Sequence, residues 1–138
     1  MPRLRTVSPY LLAALLAGAG VTHFLKPSGY DAIVPRALPN PRAWTYASGV
    51  VEIGLGAAVA YPRTRGRAAL AAALLFVVVF PANVQMALDA RTTAMKAISY
   101  ARLPLQVPLV LWALQVASAA GRRPAWPGRA RRAVRSGP

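Results

Sequence analysis

Only three carboxylates occur in this chain of 138 residues, and one of them, Glu52, lies inside an apolar run from Trp44 to Gly56. A carboxylate in such a setting accepts hydrogen bonds, holds or passes a proton, or pairs with a buried cation. Four further polar side chains stand at the ends of other apolar runs: His23, Asn83, Arg102 and Gln106. An imidazole relays protons, a guanidinium balances a buried acid, and two amides orient a partner or a ligand. With one histidine and no cysteine, thiol chemistry and disulfides are excluded, and the residues are too few for a catalytic metal centre, so no metal is expected. No nucleophile–histidine–acid arrangement or phosphate-binding loop is present, and a catalytic residue cannot be assigned.

The elements that must position these groups follow from the charges. Charged residues make up 14% of the chain against 56% hydrophobic, where a soluble domain carries about 25% charged. Residues 6–25, 68–88 and 103–121 contain no charge, and 43–62 contains only Glu52. At 1.5 Å rise per residue each run spans roughly 30 Å, the hydrocarbon thickness of a bilayer. The pattern predicts an all-α integral membrane protein, a four-transmembrane-helix bundle in residues 1–121, with helices near 8–25, 43–61, 68–88 and 101–120. Residues 122–138 read as a basic, disordered cytoplasmic tail attracted to anionic lipid.

The net charge of +14 raises nucleic acid as a partner. The basic residues, however, sit between and after the apolar runs, so the bilayer is the expected partner and nucleic acid is not. If the four runs span, eleven basic residues fall on the side of both termini and six on the other. The positive-inside rule then places both termini in the cytoplasm. Fifteen arginines against two lysines, with abundant alanine, suggest a bacterial protein of the cytoplasmic membrane. The first run resembles a signal peptide with a cleavage-like Ala17-Gly-Ala19, but it continues apolar to Leu25 and is expected to stay as a helix.

Within the runs, Thr45, Ser48 or Gly49, Glu52 and Gly56 form a narrow small-and-polar stripe, with Val50, Val51, Ile53 and Leu55 supplying a lipid face. The patch from Ala17 to Gly20 offers a smooth face for close helix packing. Trp44 and Tyr46 suit one aromatic belt and Tyr61 the other. Tyr30, Ile33, Val34, Ala37 and Leu38 have amphipathic spacing, which predicts a turn of interfacial helix followed by extended chain over 38–42; a plain solvated loop is the alternative. Pro81 is expected to kink the third helix and Pro108 the fourth, with Pro104 tolerated in the first turn of that helix.

Chain direction puts His23, Glu52, Asn83 (with Gln85), Arg102 and Gln106 toward one end of the bundle, the outer half. There they have two readings. Structurally, Arg102 balances Glu52 while Asn83 and Gln106 hydrogen-bond across helices. Functionally, the five line a polar pocket, with Glu52 accepting hydrogen bonds or a proton and Arg102 as its counter-ion.

The residues also carry a resemblance. Gly20-Val-Thr-His-Phe24 precedes Pro27, Ile33-Val-Pro35 and Leu38-Pro39. Tyr46-Ala-Ser-Gly-Val-Val-Glu52 is followed by Tyr61-Pro-Arg-Thr-Arg65. Phe80-Pro-Ala-Asn83 with Met86-Ala-Leu88, then Arg102-Leu-Pro-Leu-Gln106, complete the set. In this order and spacing, over residues 12–114, the chain resembles the DoxX-like family of small bacterial membrane proteins. The resemblance implies a four-helix transmembrane bundle associated with redox systems. In one branch it is a subunit of a thiosulfate:quinone oxidoreductase; in another it scaffolds soluble enzymes in oxidative-stress complexes.

The expectation is thus an accessory or scaffold subunit of a membrane-associated redox system, not an enzyme by itself, whose partner is a soluble or membrane redox enzyme. The alternative is a quinone-interacting oxidoreductase subunit, with quinone as its cofactor and His23 and Glu52 contacting the head group. A small-solute transporter is the weaker third class, because the inner half has little polarity and no inverted repeat is visible. The ligand, the partner and the oligomeric state, a homo-oligomer included, are not fixed by the sequence.

Overall fold

A computed structural model describes residues 2–122, with side chains from residue 6 onward; the basic start at Arg3 and Arg5 and the tail beyond Arg122 lie outside the described side chains. The described residues are helical apart from turns. In chain order the helices are α1 (Pro2–Leu25), α2 (Pro27–Asp31), α3 (Pro41–Ala60), α4 (Arg65–Val78), α5 (Phe80–Asp89) and α6 (Thr93–Gly121). Three stretches are long and apolar enough to cross a membrane: Thr6–Leu25, Arg65–Asp89 and Thr93–Gly121. The described residues thus have the all-helical, apolar make-up of a membrane protein. The α3 helix has 20 residues, but Glu52, Trp44, Thr45, Tyr46 and three glycines dilute its apolar character.

Local chemistry explains where the helices begin and break. At the start of α3, Asn40 adopts a left-handed conformation (φ 52°) and its side chain accepts from the Ala43 amide, with Pro41 in the first turn. Extended chain over 38–42 is thus replaced by a turn at Asn40 and a helix that already includes Arg42. At Val79 the third run breaks into α4 and α5. Pro81 has no amide hydrogen for the Val77 carbonyl, and its ring crowds that turn, so the expected kink becomes a break.

The largest departure is α6. A loop over 89–101 is replaced by a helix that starts at Thr93, where the Thr92 hydroxyl accepts from the Met95 amide. Charges at Arg91, Lys96 and Arg102 mark where apolar character stops, not where the helix stops; residues 93–101 contain neither glycine nor proline. Pro104 consequently lies in the helix interior with Pro108 and not in its first turn.

Packing pairs α1 with α3 and α4 with α6 most extensively. The α1–α3 crossing is close because it is made by glycine. A Cβ on Gly20 would stand 2.7 Å from the Gly49 carbonyl oxygen, and one on Gly56 would stand 2.8 Å from that of Ala13. Gly18 meets nothing, so only part of the Ala17–Gly20 patch is an interface. Close helix approach replaces the hydrophobic effect as the source of cohesion where the surroundings are lipid.

Along α3, Val50, Val51 and Ile53 are exposed as a lipid face requires, whereas Leu55 turns in against the core. That core is built from Leu12 and Leu16 of α1, Val59 of α3, Ala69, Ala72 and Phe76 of α4, and Ala113 and Val116 of α6. It occupies the end of the bundle remote from His23. Trp112 there donates its indole N–H to Ser8 at 2.7 Å, tying α6 to α1.

Candidate ligand-binding site

At the opposite end the helices diverge around a cavity of about 250 Å³. Its wall is contributed by His23 of α1, Thr45, Ser48 and Glu52 of α3, the break around Val79 and Pro81, Asn83 of α5 and Arg102 of α6. The helix break lies at the cavity itself, with Val78, Val79, Pro81, Ala82 and Asn83 all lining it. Residues 30–38 fold back over the opening, with Tyr30, Ile33, Val34, Pro35 and Leu38 against it. The amphipathic spacing seen in this segment therefore serves a cover, and Ala37 alone of that set points away.

The cover is held by specific bonds. Tyr30 stacks on the His23 ring, with centroids 3.7 Å apart. Its hydroxyl meets the Thr22 hydroxyl at 2.5 Å; because Thr22 donates to the Ala19 carbonyl at 2.6 Å, Tyr30 is the donor. Asp31 accepts from the Thr45 hydroxyl and from Arg42 Nε, both at 2.7 Å. The Thr45 bond holds the Asp31 carboxyl below its ordinary value; partial burial opposes this and Arg42 reinforces it. Trp44 donates to the Pro39 carbonyl at 3.0 Å. Arg36 reaches Asp89 at 3.5 Å across the surface, and Asp89 also accepts from Gln85 at 2.7 Å. All three acids of the chain thus serve this one end: two fasten the cover and the third lies beneath it.

His23 is buried, and its Nδ1 lies 2.9 Å from the Ala19 carbonyl oxygen. A carbonyl only accepts, so Nδ1 carries hydrogen and donates there. Glu52 Oε2 is 3.5 Å from the same nitrogen, too far to be satisfied by a proton already directed at Ala19. Glu52 Oε2 is indeed buried without a hydrogen-bond partner. Asn83 donates to Gln106 Oε1 at 3.2 Å, and Gln106 Nε2 is the second buried orphan. Each such group costs about 1–3 kcal/mol unless something supplies its partner.

Of the five residues singled out by sequence, four line the cavity. Gln106 lies behind Asn83 and does not line it. Arg102 stands exposed at its rim and acts on Glu52 through its charge, while among the described residues the side chain within 4 Å of the carboxylate is His23. Gln85, the neighbour of Asn83 in the sequence argument, is half-buried and donates to Asp89, outside the cavity lining. Missed by sequence were Tyr30, Thr45 and Asp31 as fasteners of the cover. Tyr30 carried a signal in its amphipathic spacing, but Asp31 and Thr45 are fourteen residues apart and nothing local links them. Among the described residues no three His, Cys, Asp or Glu side chains gather as metal ligands.

Residues 12–117 match the model of a family described as a domain of unknown function, DUF8561. The match covers most of the chain. The chain belongs to that family. No curated protein and no solved structure matches it. The matched range contains the whole cavity, its cover and the alanine-rich core, so both ends of the bundle are part of what defines the family's extent.

Proposed function

We propose that this DUF8561 member is a multi-pass protein of the bacterial cytoplasmic membrane in which α3 is a fourth span, both termini facing the cytoplasm. It acts as a ligand-holding accessory subunit of a membrane-associated redox system. The resemblance of its sequence blocks to DoxX-like proteins supports the redox association. The topology is supported by the excess of arginine on the side of both termini and by the close packing of α3 along α1, which shields its small-and-polar stripe. One observation carries the ligand-holding role: a buried Glu52 oxygen beside His23 has no partner in the protein, yet its residue lines a covered cavity. A self-sufficient structural cluster would have closed on that oxygen.

The cavity walls are largely aliphatic and its polar groups are few and convergent, the usual make-up of a small-molecule site. A ligand with a hydrogen-bonding head and an apolar body fits this distribution, and a quinone-type ring is the favoured example. In this reading His23 and Glu52 contact the head, Arg102 guards the mouth, and Tyr30 with residues 33–38 excludes solvent.

The test is organic extraction of the full chain purified in mild detergent, with identification of the extract and of co-purifying proteins by mass spectrometry. A stoichiometric small molecule, reduced in amount by Glu52→Gln or His23→Ala, is the expected result. An empty extract together with no co-purifying enzyme would remove the basis for the reading.

A further inference from the structure

A second concavity lies at the opposite end of the molecule, between the first turns of α4 and the last turns of α6, with a volume of about 600 Å³. Its upper edge is formed by Arg63 and Arg67, and its lower wall by Leu70 and Leu114, which are 54% and 42% exposed. Gly66 lies between the arginines, where a Cβ would meet Ala120 in ordinary contact at 3.5 Å, so α6 backs the groove. Three arginines occur at alternate positions here, and their uses differ. Arg65 Nε donates to the Val59 carbonyl at 3.0 Å and its Nη2 to that of Ala60 at 2.9 Å, closing the C-terminus of α3. Arg63 and Arg67 have no hydrogen bond or ion pair to any described residue. None of the three acids is near, because all sit at the other end.

We propose that this groove is a binding site for an anionic phospholipid, whose phosphate is held between Arg63 and Arg67 and whose acyl chain lies along Leu70 and Leu114. Charge complementarity selects the headgroup, and the N-terminal end of α4 adds a positive dipole in the same place. The exposed leucines below select a lipid over a free anion, since a soluble phosphate leaves them uncovered. Basic grooves between transmembrane helices at the cytoplasmic boundary hold acidic lipids by the same physics. The site rests on the membrane reading of the chain but not on the cavity around Glu52.

The experiment uses the full chain in neutral detergent, with native mass spectrometry comparing retention of phosphatidylglycerol and phosphatidylcholine. The wild type retains the anionic lipid preferentially. Arg63→Gln with Arg67→Gln lowers that preference about thirtyfold, equivalent to about 2 kcal/mol. Arg91→Gln with Lys96→Gln removes the same charge at the opposite end of the molecule, where both side chains are exposed, and leaves the preference in place. Leu70→Gln with Leu114→Gln weakens phosphatidylglycerol retention without altering the charge of the groove. An equal loss in the Arg91/Lys96 variant would reduce the effect to bulk charge and overturn the site. Displacement of the lipid by inorganic phosphate at comparable concentration would overturn the lipid assignment. A chain stripped from membranes by alkaline carbonate would overturn the membrane reading itself, whereas an embedded chain without lipid preference would overturn this proposal alone.

Discussion

The two ends of the bundle share α1, α3 and α6 and are packed by opposite rules. Around Leu12, Leu16, Ala69, Ala72, Ala113 and Val116 the side chains are small or aliphatic, buried, and without polar atoms that need partners. Around His23, Glu52, Asn83 and Gln106 the buried groups are polar, two of their atoms lack partners, and the helices part to leave a cavity. Cohesion in the first region comes from van der Waals contact between closely set backbones. The second region gives up part of that contact, and bonds through Asp31, Tyr30 and Trp44 keep its cover in place. A region that costs stability and keeps a partly open cavity under a bonded cover is better explained by an occupant than by the fold's own needs.

The contrast can be broken most forcefully in the dry half. Leu16→Ala, at a fully buried position, is expected to cost about 2–4 kcal/mol in thermal or denaturant unfolding in detergent. A paired test separates the crossing from the lipid face. Gly56→Ala would set a methyl against the backbone of Ala13 and Ala17, costing about 2 kcal/mol. Gly54→Ala, where a Cβ meets nothing within 4 Å, is expected to be neutral or stabilising by up to about 1 kcal/mol. Equal effects at 54 and 56 would contradict the helix register. Trp112→Phe removes the bond to Ser8 and is expected to cost about 1 kcal/mol, with no effect on anything held in the cavity.

The smallest effect concerns the cover. Because the Asp31 carboxyl is held below its ordinary value, its contribution is complete above the unfolded value near pH 4 and is lost as pH falls through the lower folded one. The protection of residues 30–38 against hydrogen exchange, relative to the unfolded chain at the same pH, should therefore be flat from neutral pH to about 5 and fall only in more acidic solution. Asp31→Asn should raise exchange at neutral pH and remove that acid dependence. An acid dependence that persisted in the variant would assign it to another group.

Much of this architecture was legible in the sequence because lipid solvation writes it in charge-free runs. Glu52, His23 and Asn83 stood out for the same reason: a polar residue in an apolar run is conspicuous. What did not show was set by contacts distant in sequence or by helix physics independent of hydropathy. The early start of α6 at Thr93 follows from a threonine cap and helix-permitting residues outside the apolar run. The Glu52–Arg102 pairing was inferred from two residues entering from the same end, but His23, on a neighbouring helix at the close α1–α3 crossing, stands nearer to the carboxylate. The fastening of residues 30–38 depended on Asp31 meeting Thr45, which no periodicity reveals.

The central claim is that the polar end holds an occupant and does not merely satisfy itself. Glu52→Gln decides this when stability and retained ligand are measured on one purified preparation. Removing a buried, incompletely partnered carboxylate should leave the unfolding midpoint unchanged or raised, while the small molecule extracted from the wild type falls sharply. If the variant instead unfolds several degrees lower and the extract is unchanged, Glu52 and His23 are a structural pair and the cavity is not the site.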